Sequence, residues 1–243
     1  MNKSNTTYNG LPRISSDMHV SQDHIKNLLA IFAKHGLREK IGIHLLHKHD
    51  DIPKEQVKLE TKLKTKPGKW TKPIPIDSLD LKNIHPVVLK FVLESVAGEL
   101  RLHLDPYEFG DGPSPVSLCD VDDNNCIKEV ADYITRNNLV DVIALELFDS
   151  VKDAQPRECT AEVEVGKYGT IVLPKSMMNS GKLIPTSWPN TSQPFDPDGE
   201  PDPGTHWVEA KVKDKVTHKV FVDQIKNETD LLDELVRQDV IRV

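Results

Sequence analysis

Two stretches decide the fold: IKNLLAIFAKHGLREKIGIHLLHK at residues 25–48 and IKEVADYITRNNLVDVIALELFDS at residues 127–150. They align without a gap, with identities at Ile25/Ile127, Lys26/Lys128, Leu37/Leu139, Ile41/Ile143 and Leu45/Leu147. Each opens with apolar residues at helical spacing: Ile25, Leu28, Leu29 and Phe32, then Ile127, Val130, Ala131 and Ile134. Each meets a two-residue stop, His35-Gly36 or Asn137-Asn138, and runs on into a β-like apolar segment. Two unrelated helix–strand units that share only a binary pattern would read this way. So would a duplication into halves over 21–115 and 116–243. Both readings predict an α+β fold, with a mixed or mainly antiparallel sheet covered by helices.

Outward from these segments, Ser21 is the expected N-cap of the first helix. Residues 1–20 are polar and turn-rich and read as a flexible arm ahead of one domain over 21–243. Val57 to Leu63 alternates as a strand. Trp70 to Ile76 reads as an edge strand, because Pro73 and Pro75 cannot donate to a ladder. Pro86 suits the first turn of a helix over 87–96 stopped by Gly98. Leu100, Leu102 and Leu104 alternate as a strand, and 159–165 with 170–173 read as a hairpin. Leu183 and Ile184 read as a further short strand. Six prolines between Pro185 and Pro203 predict a surface excursion. A hairpin over 206–222 and a helix over 230–238 close the chain.

Composition narrows the function classes. The chain has 243 residues, 37% of them hydrophobic, and a net charge of −7. Mean hydropathy is −0.44, and no run approaches the ~18 apolar residues of a membrane helix. The acidic balance argues against a nucleic-acid partner. Three cysteines without a CxxC pair make no disulfide framework. No apolar leader core follows the start, so the expectation is a cytoplasmic protein. There is no GxGxxG, P-loop, GxSxG or HExxH, so no nucleotide cofactor is expected. Acidic runs at 120–124 and 196–200 fail the calcium-loop pattern at its glycine and its closing glutamate.

The chemistry-bearing run is His44-Leu-Leu-His47-Lys-His49. On a strand, His47 and His49 share one face and suit an acid–base pair or a transition-metal grip. The alignment sets Glu146 against His44, so both segments place a polar residue at one point of an apolar strand. A second cluster holds His206 and His218, and the candidate catalytic set is His47, His49, His206 and His218. His44, Glu146, Trp70, Trp188 and Trp207 are candidate walls of a small-molecule pocket. Glu162 and Glu164 on one strand face, and the seven lysines from Lys54 to Lys72, read as solvated strand charges.

Gly42-Ile-His-Leu-Leu-His-Lys-His49, with Gly204-Thr-His206 and Thr217-His218-Lys219-Val220, resembles a group of uncharacterised cytosolic proteins of filamentous fungi. The resemblance spans most of residues 25–225. It implies a place among accessory proteins of secondary metabolism, some of which act as cofactor-free cyclases or isomerases. Three expectations follow. The first is a small-molecule enzyme of lyase, isomerase or cyclase type that uses histidine acid–base or pocket catalysis. The second is a metalloprotein with a divalent transition metal on the histidines. The third is a non-catalytic ligand-binding or interaction protein.

Overall fold

A computed structural model describes residues 2–15, 17–37, 40–96, 99–113, 125–148, 159–179, 183–188, 206–209 and 225–242. The two quoted stretches take matching local structure. Helix α2 (Gln22–Lys34) starts at Ser21, whose hydroxyl accepts from the His24 N–H. Helix α3 (Asn125–Arg136) presents Ile127, Val130 and Ile134 inward. Both helices end on a left-handed residue at the same aligned position, Gly36 with φ 71° and Asn138 with φ 57°. That conformation lets Leu37 N–H reach the Phe32 carbonyl at 2.9 Å and Leu139 N–H reach that of Ile134 at 2.8 Å.

The chain then enters β1 (Ile41–Leu45) and β6 (Ile143–Leu147), which pair antiparallel. The register is Ile41 with Leu147, Ile43 with Leu145, and Leu45 with Ile143. Exchanging each residue for its aligned counterpart returns the same three pairs, so a local twofold passes between Ile43 and Leu145. The flanking bonds obey it too: Leu46 N–H to the Val142 carbonyl at 2.8 Å, and Phe148 N–H to that of Lys40 at 2.9 Å.

The remaining strands are β2 (Gln56–Lys62), β3 (Lys69–Pro75), β4 (Ile84–Val96), β5 (Glu99–Asp111), β7 (Thr160–Glu164), β8 (Thr170–Pro174), β9 (Leu183–Trp188) and β10 (His206–Glu209). They close into a barrel in the order β1-β6-β4-β5-β2-β3-β8-β7-β10-β9, with β9 returning to β1. The pairings are antiparallel except β2 with β5 and β7 with β10, which are parallel. The fold is therefore α+β, with a mixed and mainly antiparallel sheet. The twofold holds around the ring: β4 meets β6 at Val88/Glu146 and Leu89/Leu145, while β9 meets β1 at Ser187/His44 and Trp188/Ile43.

The barrel turns its apolar face outward. Ile41, Ile43 and Leu45 of β1 and Ile143, Leu145 and Leu147 of β6 pack with Leu28, Phe32, Val130 and Ile134 of the helices. On the other side Ala161, Val163, Ile171 and Leu173 pack under Leu231, Leu232 and Leu235 of helix α4 (Glu228–Arg237). Alternate strand residues therefore face the barrel interior. That inner row includes His44, Lys58, Glu146, Glu162 and Glu164, all half-buried or buried.

Three sequence expectations change here. Residues 87–96 are strand, not helix: β4 runs through them as one arm of a long hairpin with β5. Val87, Val88 and Val92 are β-branched, and pairing to Leu100–Asp111 outweighs the helical start that Pro86 offers. Pro86 instead sits at an irregularity of the ladder, where its missing N–H costs no regular bond. Strand β3 is not an edge, because β8 pairs its Lys69–Thr71 end; Pro73 and Pro75 lie beyond that stretch. The opening segment, expected as a loose arm, contains helix α1 (Asn2–Asn9) and buries Tyr8, Leu11 and Ile14. The Asn5 side-chain amide donates to the carbonyls of Ile52, Pro53 and Gln56, which ties α1 to the loop ahead of β2.

The hairpin at β7–β8, the strand at Leu183, Ile184 and the closing helix stand where expected. Of the stretch expected as a hairpin over 206–222, only strand β10 is described, and it is paired on both sides, to β7 and to β9. The proline-rich excursion expected from Pro185 starts as strand, since Pro185 lies within β9, and its remainder is outside the described residues.

Candidate active site inside the barrel

The barrel interior contains a cavity of about 540 Å³. His44, Glu108, Glu146, Thr160, Glu162 and Ser187 line it, and residues 62–63 and 66–69 around the β2–β3 turn form another part of its wall. Charged groups in such a place are costly unless they are paired or serve a ligand. These are paired, in two adjoining groups.

In the first group, His44 Nδ1 stands 3.4 Å from Glu146 Oε2. Ser187 donates its hydroxyl to the same carboxylate oxygen. The twofold at β1/β6 creates this meeting: His44 and Glu146 are aligned counterparts, brought to diagonal positions across the strand pair. Ser187 is in register with His44 on β9. Its hydroxyl serves the carboxylate rather than the imidazole, so it orients Glu146 and is not primed as a nucleophile. Burial pulls the His44 pKa down, but the bond to Glu146 and that carboxylate's charge outweigh it and hold the group above its ordinary value.

In the second group, the His47 ring stacks on His44 with centroids 5.2 Å apart. His47 Nδ1 lies 2.8 Å from the Leu45 carbonyl, and its Nε2 lies 3.9 Å from Glu162 Oε2. Burial lowers the His47 pKa to about 4, so this ring is neutral near pH 7. His49 stands between two carboxylates, with Nε2 3.4 Å from Glu162 and Nδ1 3.8 Å from Glu164. There burial works downward, but the Glu162 charge prevails and lifts His49 to about 9. Lys58 is buried nearby, 3.5 Å from the Thr170 hydroxyl and over the Tyr8 ring. Burial raises the Glu108 carboxyl above its ordinary value.

The structure thus gathers His44, His47, His49 and Glu146 from the expected site. Trp70 and Trp188 are not among the cavity walls. Trp70 belongs to the apolar cluster under α4, and Trp188 to the cluster under α2 and α3. They lie on the outward strand faces, where large apolar rings find helices to pack on. The backbone of His206 pairs with Thr160 and Ser187, both cavity-lining, and that of Trp207 with Ala161. His218 lies outside the described residues. Glu162 and Glu164, expected in solvent, are buried, as is Lys58. The alternating pattern showed two faces on each strand. In an open sheet the polar face meets water, but closing the sheet under helices turns that face inward.

No protein-family model, curated protein or solved structure matches the chain. Among the described residues no helix is long and apolar enough to cross a membrane.

Proposed function

We propose that the protein is a small-molecule enzyme that moves protons inside its barrel without a nucleotide cofactor, in lyase, isomerase or cyclase chemistry. One observation carries the reading: His44 and Glu146, braced by Ser187, stand together on the wall of a 540 Å³ cavity. The volume suits a compact organic ligand. His44 Nδ1 faces its carboxylate, so Nε2 remains to exchange a proton with substrate. Glu146 steadies the imidazolium that forms when the base takes that proton, and Ser187 holds the carboxylate in place. Its setting, on the resemblance of residues 42–49, would be the cytosol of a filamentous fungus.

The matched caps and registers support a second element of the reading, an origin by duplication. On that account the scaffold kept its twofold while the site lost it. One half supplies His44 and the other Glu146. Ser187 stands where the other half has Val88.

The test is conversion. A metabolite extract of the cells that make the protein is incubated with wild type and followed by mass spectrometry. The expected change is a compound that keeps its mass or loses one small neutral molecule, with conversion at least ~100-fold slower in His44→Gln and Glu146→Gln. Equal conversion by those variants, or no converted compound, overturns the reading.

A further inference from the structure

We propose that His47, His49 and Glu162 form a site for one divalent transition-metal ion of the zinc class, set behind the cavity wall. The inference stands on its own geometry and does not require the proton-transfer reading.

The three side chains converge. One donor atom from each lies within 4.8 Å of the others. A tetrahedral ion with bonds of about 2.0–2.1 Å spaces its donors by about 3.3–3.5 Å. His47 Nε2 lies 3.9 Å from one Glu162 oxygen and His49 Nε2 3.4 Å from the other, so a bound ion would draw the three donors in from a spread of at most 4.8 Å.

The donors are also prepared. The Leu45 carbonyl beside His47 Nδ1 accepts a hydrogen, so Nδ1 carries one and Nε2 is directed at Glu162. His49 is buried to all but 6% of its surface. Its Nε2 is sealed from solvent and makes no hydrogen bond, although it faces the Glu162 carboxylate. Without an ion this contact is an ion pair lacking hydrogen-bond geometry, and a coordinated metal would take the place of the proton between Nε2 and Glu162. Behind His49, Glu164 approaches Nδ1 at 3.8 Å, where a carboxylate orients a ligating imidazole.

The donor set chooses the ion. Two imidazoles and one carboxylate favour zinc and its first-row neighbours over calcium or magnesium, which prefer all-oxygen shells. Glu162 also lines the cavity, so the site adjoins the space a small molecule would enter. Three protein donors leave a further coordination position, the arrangement of a reactive rather than a purely structural ion.

Binding, not turnover, tests this. The full chain is dialysed against chelator and titrated with Co²⁺, then desalted for elemental analysis and visible spectroscopy. One equivalent should be retained, with a ligand-field band that Zn²⁺ displaces. Histidine nitrogen NMR of the Zn²⁺-loaded wild type should show two shifted Nε2 signals. His49→Gln and Glu162→Gln should weaken binding at least ~100-fold, while His103→Gln on β5 should bind as wild type does. Less than one equivalent retained, fewer than two shifted imidazoles, or wild-type binding by both ligand variants overturns the proposal. Should either variant not fold, the NMR count on wild type decides alone.

Discussion

Glu146 joins two polar groups of the cavity wall: it pairs with His44 and accepts from Ser187. Glu146→Gln keeps the shape and removes the charge that steadies the imidazolium. Turnover should fall by about 10²–10⁴-fold, the range of one acid–base group, with the thermal midpoint shifted by only a few degrees. A variant that turns over normally would show that the carboxylate is not used. Cys126 makes a contrasting residue-scale prediction. It is buried under the helices, and burial raises its thiol to about 11. In the native protein at pH 8 it should resist iodoacetamide and should react on unfolding; rapid native labelling, read by mass, would contradict the packing. Part of this scale was legible in the sequence. His44, His47 and His49 declared themselves by spacing, and Glu146 by its alignment with His44. Lys58, Glu162 and Glu164 did not, because alternation shows that a strand has two faces and not which of them a closed barrel turns inward.

Among the elements, helix α1 shows how polar chain can be structural. Asn5 satisfies three loop carbonyls, and Tyr8 accepts from the His49 N–H at 3.3 Å. Asn5→Ala removes the amide that crosses from α1 to this loop, although Ile52 keeps the Asn9 amide and Pro53 keeps the Gln56 N–H. It should cost about 1 kcal/mol, read from denaturant midpoints, and no measurable loss would mean that α1 is not docked. The β7–β8 turn is equally exacting. Gly169 sits at φ 93°, and a Cβ there would overlap the Thr71 carbonyl oxygen of β3. Gly169→Ala should cost about 2 kcal/mol or more. A neutral result in the same denaturation experiment would contradict the close approach of β3 to that turn. The helix–strand units were readable because an amphipathic stripe ending at Gly36 or at Asn138 has a local cause. Strand β4 was misread because Pro86 and Gly98 carry helix punctuation, whereas its partner β5 is a non-local fact.

For the whole molecule, the ring closes because the two five-strand halves, β1–β5 and β6–β10, interleave, meeting at β1/β6, β4/β6, β1/β9 and β3/β8. Outer faces are apolar under α2, α3 and α4, and the inner face is charged around a chamber. Helix propensity and strand alternation were legible piece by piece. Closure was not, since the parallel β2/β5 and β7/β10 pairings join segments far apart in the chain. The central claim is that the chamber is where a small molecule is held and changed. Val172 lines it from β8 and is only half-buried, so Val172→Trp reduces the space while leaving His44 and Glu146 unchanged in sequence. The deciding measurement is the conversion assay on Val172→Trp, run beside its circular dichroism. The account predicts wild-type secondary structure with conversion reduced at least ~100-fold, by steric exclusion from the smaller cavity. A folded Val172→Trp that converts its substrate at the wild-type rate would contradict it.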